Sequence, residues 1–446
     1  MHLGYGTSRR AVTTASTSGV DTGVDIGEEA LVELGEIANA EAVRYGKPLD
    51  GVRVLAIEQM QALPYATQLL QRFGADVVKI EPPGTGDSGR QSLPMMRDMD
   101  GRPVGNTYLR NNLGKRTISI DIKQPAGLDL VLRLAAQFDV VGQNFKAGTA
   151  ERLGIGYDDI ARVHPRVIYL SVTGFGTMLP TPYDGWPAYA PVAEAMASLY
   201  TWRGEPKEPP TVSPMGTLGD TGSAIFAVIG VLAALRHRDR TGEGQHVDVA
   251  MFDAMVAMAD AGVNYWSMGL ESGAAAPLIN HSFHASDGFF IIQCARRHQF
   301  EALARTIGRD DWLDDPRIPD APSWLEHLED VIRPGIEDWA RERTREDASR
   351  ALAEAGVAAG PVNRAGDLLT NEHVRDHRMI VAMPRTDDSD LGPVLAVGNP
   401  VKLSKMAEGP ESRVPFLGEH TDEVLSADLG LSDAELEQLR ADGVIA

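Results

Sequence analysis

The feature that most constrains this chain is an alternation of short apolar strands and helices that begins at Leu49. Leu49-Asp-Gly-Val-Arg-Val-Leu-Ala-Ile57 reads as a strand, Tyr65–Phe73 as a helix and Ala75–Ile80 as a second strand. That β-α-β unit opens a parallel α/β sheet. The alternation continues through strand Thr117–Ile122, helix Leu128–Phe138, strand Asp139–Val141, helix Tyr157–Val163 and strand Val167–Val172. A doubly wound sheet is the expected result, and such sheets hold their ligands beyond the carboxyl ends of the strands. The loops 59–64, 81–89, 143–148 and 173–190 all fall there.

With 446 residues the chain exceeds one ordinary core, so two domains are expected. A hydrophobic share of 43% beside 24% charged residues supports a globular body. Residues 1–46 read as an N-terminal extension. Its Ser/Thr/Gly/Ala-rich start is expected to be disordered, and Glu28–Tyr45 a helix with Leu31, Leu34, Ile37 and Ala38 on one face. A large α/β domain is expected over 47–270, a Gly/Ala-rich boundary at Glu271–Pro277, a small domain over 271–390, and a C-terminal segment over 391–446. The small domain starts with the strand in Ser286–Gln293. Helices follow at Gln299–Ile307, Ser323–Glu329, Ile336–Thr344 and Arg345–Ala355, then short strands at Val394–Val397 and Val401–Lys405. The tail Asp433–Asp442 reads as an amphipathic helix.

A net charge of −21 argues against nucleic acid or an anionic membrane as the main partner. The one cysteine, Cys294, leaves no internal disulfide and no cysteine-based metal site, and its neighbours Ile291 and Ile292 place it in a core. No metal site is expected. No apolar run approaches a membrane span, and the N-terminus lacks a signal-like apolar core, so the expected location is the cytoplasm.

Three stretches bear on chemistry. Gly84, Gly86 and Gly89 spell G-x-G-x-x-G, but prolines crowd both sides and no helix starts inside it, so a turn-rich loop is expected instead of a dinucleotide site. Lys115 and Arg116 precede a strand and suit either phosphate binding or a solvated basic patch. Gly216-Thr-Leu-Gly-Asp-Thr-Gly-Ser223 runs into Ala224–Leu235, where Ala224, Ile225, Val228, Ile229, Leu232 and Leu235 recur at helical spacing. Asp220 then stands where an N-cap belongs, kept ionised by free N–H groups and the helix dipole. That placement suits a carboxylate nucleophile, and on this stretch alone it favours a plain cap. Upstream, Tyr183, Trp186 and Tyr189 line an aromatic loop before a short helix Val192–Tyr200. Downstream, the polar, hairpin-like His237–His246 leads to strand Val247–Val249 and a helix Met251–Met268, whose methionines 255, 258 and 268 are expected in the core.

Together these landmarks resemble the family III CoA-transferases, the carnitine-dehydratase/bile-acid-inducible group, which also holds α-methylacyl-CoA racemases. The resemblance runs from about Leu49 to the C-terminus. It is carried by Leu49–Leu55, Phe73-Gly-Ala-Asp-Val-Val-Lys-Ile-Glu-Pro-Pro83, Lys115-Arg-Thr-Ile-Ser-Ile-Asp121, Asn144-Phe-Lys146, Gly222–Leu235, Gly242–Gln245 with Val247–Val249, and Leu417–Leu425. It implies a Rossmann-like large domain built from both chain ends, a smaller α+β domain, and an interlocked homodimer. It further implies that Asp220 attacks an acyl-CoA thioester and that Gln61 neighbours the reacting centre. Ile120, Asp121, Ile122, Lys123, Asn144, Phe145, Lys146 and Arg152 would contact coenzyme A. The implied substrates are an acyl-CoA and a carboxylic acid acceptor, with no permanently bound cofactor.

Two departures qualify that pattern. Many relatives carry a carboxylate right after the tyrosine of Pro187-Ala-Tyr-Ala-Pro-Val-Ala-Glu-Ala-Met196; here the residue is Ala190, and Glu194, one helical turn on, is the candidate substitute. Racemases place a catalytic histidine where this chain has Tyr189. The glycine-rich lid of oxalate-type transferases is also missing, since Ser272–Asn280 holds one glycine, which disfavours an oxalate or formate substrate. Besides the transferase, a 2-methylacyl-CoA racemase and a non-catalytic CoA-binding scaffold stay open.

Overall fold

The computed structural model describes residues 31–98, 100–201, 209–213, 217–270, 278–387 and 392–446. The expected disorder of the first residues, Gly216, the 271–277 boundary and most of the lid stretch lie outside these. Six strands form one sheet: β1 (Arg53–Ile57), β2 (Asp76–Glu81), β3 (Arg116–Ser119), β4 (Val140–Gln143), β5 (Ile168–Thr173) and β6 (Gln245–Ala250). Their order is β3-β2-β1-β4-β5-β6, and every pair is parallel. The winding therefore reverses between β1 and β4, where such sheets open a crevice.

The helices that matter for the crevice are α1 (Ala62–Arg72), α2 (Pro125–Ala135), α3 (Ala190–Met196), α4 (Leu218–Thr241) and α5 (Met251–Met258). Successive strand residues point to opposite faces. Val54, Ala56, Val140, Ile168 and Leu170 accordingly pack with α1, α4 and α5. Leu55, Ile57, Val141 and Tyr169 pack with α2 on the other face. The C-terminal helices Thr421–Leu429 and Asp433–Ala441 lay Val424, Leu425 and Leu436 into that second layer, and Ile445 bridges Ile120. A separate antiparallel sheet, order β9-β8-β7, combines β7 (Ile279–Ala285), β8 (Gly288–Cys294) and β9 (Ala358–Pro361). Its core is drawn from residues 279–357 alone. Cys294 is buried there, and burial pushes its thiol up to about 12.

Several expectations are corrected. The helix over Glu28–Tyr45 is only a 3₁₀ turn, Ala40–Tyr45. Upstream of it Val32 bridges Val381 and Ala38 bridges Glu408, so pairing with the distant chain takes the backbone groups a helix would use. Residues 401–405 form no strand, and the helix expected over Met251–Met268 breaks at Ala259. Of its methionines, Met255 is buried while Met258 and Met268 are exposed. α4 runs on to Thr241, replacing the first half of the expected hairpin.

α4 buries Ala224, Ala227, Val228, Val231, Ala234 and Leu235, while Ile225, Ile229 and Leu232 are exposed. The small residues let α4 approach the sheet closely and leave its bulky apolar row outward. By length and composition α4 could cross a membrane, contrary to the expectation from the sequence, though half of it is buried within the fold.

Candidate active site

Loops leaving β1 and β4 meet at the strand-order reversal and line one cavity of about 400 Å³. Its wall is completed by the segment after β5, the start of α5 and Asp220. The β1 loop carries Gln59, Met60 and Gln61 directly into α1. Met60 sits at φ 63°, a left-handed conformation that costs a non-glycine residue about 1 kcal/mol or more. Its neighbours hold it there. Met60 N–H donates to Asp87 Oδ1 at 2.9 Å. Gln59 N–H donates to Asn144 Oδ1 at 2.9 Å, and Asn144 Nδ2 donates back to the Gln59 carbonyl at 2.8 Å. Asn144 thus ties the β4 loop to the β1 loop across the switch point. Phe145 N–H is taken by Gln143 Oε1 at 2.7 Å, and Lys146 stands exposed at the rim. An aromatic wall closes the far side: Tyr183 packs on Phe175 (4.9 Å between centroids) and Trp186 (5.2 Å). Tyr189 lines the cavity at its exposed edge.

Asp220 is half-buried and faces this cavity with Gln61. It is not the N-cap: α4 begins at Leu218 with Thr217 at the N-cap position, whose side chain makes no cap hydrogen bond, so Asp220 lies inside the first turn. The orphan Gly219 N–H is instead received by Glu194 Oε1 at 2.9 Å. Glu194, on α3, is fully buried and also accepts the Tyr200 hydroxyl. Because the capping carboxylate comes from α3, Asp220 gains a like charge nearby. Burial, then the Glu194 charge, push its carboxyl up to about 6, with the Arg110 guanidinium opposing. The sequence has it kept ionised by free N–H groups and the helix dipole; burial and the Glu194 charge work against that here. Packing explains Gly219: a Cβ there would lie 2.8 Å from Ala190 Cα, so α3 and α4 approach closely at this point, where Ala190 is buried.

If Asp220 is the nucleophile that the resemblance implies, it has to be deprotonated, so turnover is expected to rise with pH through about 6 and to plateau above it. Glu194→Gln removes the repelling charge and moves that rise to lower pH; kcat measured across pH checks both.

The other expected contacts are dispersed. The Ile120 side chain is in the core. Asp121 N–H donates to the Val444 carbonyl at 2.8 Å and Asp121 Oδ1 accepts Lys123 N–H at 3.1 Å. Ile122 is half-buried and Lys123 exposed. Arg152 is exposed and donates to Thr149 Oγ1 at 2.8 Å. None of these five lines the cavity; 120–123 follow β3, two strands from β1. Lys115 and Arg116 are not a phosphate site either. Lys115 is fully buried on Glu58 at 2.7 Å, and Arg116 pairs with Asp76 and Glu423. Sequence reasoning missed Arg110 and Asp87. Arg110 Nη2 donates to Gln61 Oε1 at 3.0 Å. No local pattern signals that contact, because the partners lie 49 residues apart. No histidine lines the cavity among the described residues.

The fold and crevice define an α/β protein with a ligand site at the switch point and a half-buried carboxylate in it. The chain belongs to the CoA-transferase family III, whose model matches residues 49–421. It is 35% identical over 387 residues to the succinyl-CoA:mesaconate CoA-transferase of Haloarcula hispanica, covering 84% of this chain and 95% of that protein. It is 32% identical to a formyl-CoA:oxalate CoA-transferase of Rhodopseudomonas palustris, covering 90% and 98%. Among solved structures, a CAIB/BAIF family protein from Brucella suis superposes with a TM-score of 0.74 at 30% identity, covering 86% of this chain and 99% of that one. The protein is therefore a family III CoA-transferase enzyme.

Proposed function

We propose that the enzyme moves coenzyme A from an acyl-CoA to a carboxylic acid through Asp220. The observation that supports this reading is the Asp220 carboxylate lining the same cavity as the Gln61 side chain. An Asp220 oxygen bonds the thioester carbon and the CoA thiolate leaves, forming a mixed anhydride. The thiolate then attacks the Asp220 carbonyl and frees the donor acid, leaving an aspartyl-CoA thioester. The acceptor carboxylate reverses both steps, and no net proton is taken up or lost. Gln61 serves beside the reacting carbonyl and Glu194 sets the Asp220 charge. Asn144, Phe145, Lys146 and Tyr189 would hold the pantetheine end at the cavity. Ile120, Asp121, Ile122, Lys123 and Arg152, farther along the strand ends, would meet the nucleotide end. The aromatic wall suits an acid larger than oxalate.

Hydroxylamine added to enzyme and acyl-CoA is expected to leave a hydroxamate at Asp220, read by peptide mass spectrometry. A fully active enzyme with no modification of Asp220 overturns the mechanism.

The large domain of this reading spans 47–270 and 391–446, the small one 271–390, in a cytoplasmic homodimer. The outward row Ile225, Phe226, Ile229 and Leu232 is the surface that a second subunit would cover. Sedimentation at the mass of a single chain would remove the dimer.

A further inference from the structure

An amide can be mounted two ways round, and the two present opposite chemistry to a ligand. Gln61 Oε1 is held by Arg110 Nη2 at 3.0 Å. A guanidinium offers donors only, so it must face the carbonyl end of the amide. The NH₂ end is then turned away from Arg110. Among the described residues no hydrogen bond leaves Gln61 Nε2, and Gln61 lines the cavity with Asp220. Arg110 itself does not line the cavity.

The mounting is rigid. Gln61 is buried and immediately precedes α1. One helical stretch on, Gln68 Nε2 donates to the Arg110 carbonyl at 3.0 Å and Gln68 Oε1 accepts Leu113 N–H at 2.8 Å. The segment carrying Arg110 is thereby fastened to the helix that Gln61 leads into. Arg110 Nε is buried without a partner, so its contact with Gln61 is not one of many interchangeable ones.

We propose that Arg110 is a positioning residue that locks the Gln61 amide with its NH₂ toward the thioester oxygen at Asp220. This rests on the Asp220 nucleophile reading. When an Asp220 oxygen bonds the acyl carbon, the carbonyl electron pair moves onto the thioester oxygen. The Gln61 N–H donors receive that charge until it collapses back and the C–S bond breaks, the thiolate carrying off the pair. A donor already aimed at the oxyanion needs no reorganisation, and losing one such donor costs roughly 10²–10³ in kcat. An amide free to turn would offer its own carbonyl, which repels the oxyanion.

The test is a double-mutant cycle with Arg110→Met and Gln61→Ala. Arg110→Met is expected to lower kcat about tenfold to a hundredfold while KM for acyl-CoA changes by about twofold or less. Measured on the pH plateau, where Asp220 stays ionised without Arg110, the same change in the Gln61→Ala background is expected to cost about threefold or less, because its target is gone. Arg110→Lys, also donor-only, recovers part of the loss and substitutes in the cycle if the Met variant does not fold. Losses that multiply in full, or a raised KM at unchanged kcat, overturn the proposal. Failure to trap Asp220 in the wild-type enzyme strikes the nucleophile reading instead, since the Arg110–Gln61 coupling is measured independently of it.

Discussion

Asp220→Asn is expected to remove roughly four orders of magnitude or more of kcat while leaving the fold and CoA binding in place, in keeping with the loss of other essential nucleophiles. The substitution keeps the size of the side chain and its place in the first turn of α4, so Glu194 still caps Gly219. What it removes is the attacking oxygen anion. The amide is far less nucleophilic, and the other carboxylate of the cavity wall, Asp184, stands on the segment after β5 and not on α4. Glu194 is fully buried, does not line the cavity, and is already occupied by the Gly219 N–H and the Tyr200 hydroxyl. Steady-state transfer and CoA affinity, measured on the same preparation, separate lost chemistry from lost binding. Transfer within tenfold of wild type would sink the assignment.

Glu58→Gln is expected to destabilise the large sheet by about 3–5 kcal/mol, the usual result of breaking a buried pair from one side. Glu58 stands at the carboxyl end of β1, fully buried, with Oε1 2.7 Å from Lys115 Nζ and 3.5 Å from Lys79 Nζ. Lys79 also meets Asp87 at 2.6 Å, and Arg90 meets Glu81 at 2.7 Å. Three carboxylates and three cations therefore balance inside the sheet edge. Burial already presses Lys115 down to about 8 although Glu58 supports its charge. Without the Glu58 charge the cluster holds an uncompensated cation, against a total stability of only about 5–15 kcal/mol for a typical domain. The same cluster anchors Asp87, which fixes the strained Met60, so KM for acyl-CoA should rise as well. Urea unfolding followed by circular dichroism gives the stability; a shift below about 1 kcal/mol would show that the cluster is not a unit.

How much of this was legible beforehand differs by residue. Leu55 and Val54, or Val140 and Val141, announce a strand buried on both sides by composition alone, and so the parallel sheet could be read directly. The apolar spacing of Ala224–Leu235 announced α4, but not which side would be covered. Ala224, Ala227, Val228, Val231, Ala234 and Leu235 went inward and Ile225, Ile229 and Leu232 outward, a choice that depends on how near the sheet lies. Leu31 to Ala38 carried a helical pattern that the chain overrode by pairing with 381 and 408. Lys115 looked like a surface cation because nothing local reveals that Glu58 and Lys79 converge on it.

By itself the sequence determined the alternation of elements, hence the sheet and the loops gathered at its carboxyl edge. Its motifs also placed Gln61 and Asn144 on those loops and Asp220 at the start of α4. Local pattern suffices for these because periodicity and turn chemistry act over a few residues. Only the tertiary structure decided that Glu194 caps α4 in place of Asp220, that burial and then this proximity raise the Asp220 carboxyl, and that Arg110 grips Gln61. Those depend on charges and donors brought within a few ångströms from segments far apart in the chain, and electrostatic and hydrogen-bond energies follow distance in space, not position in sequence.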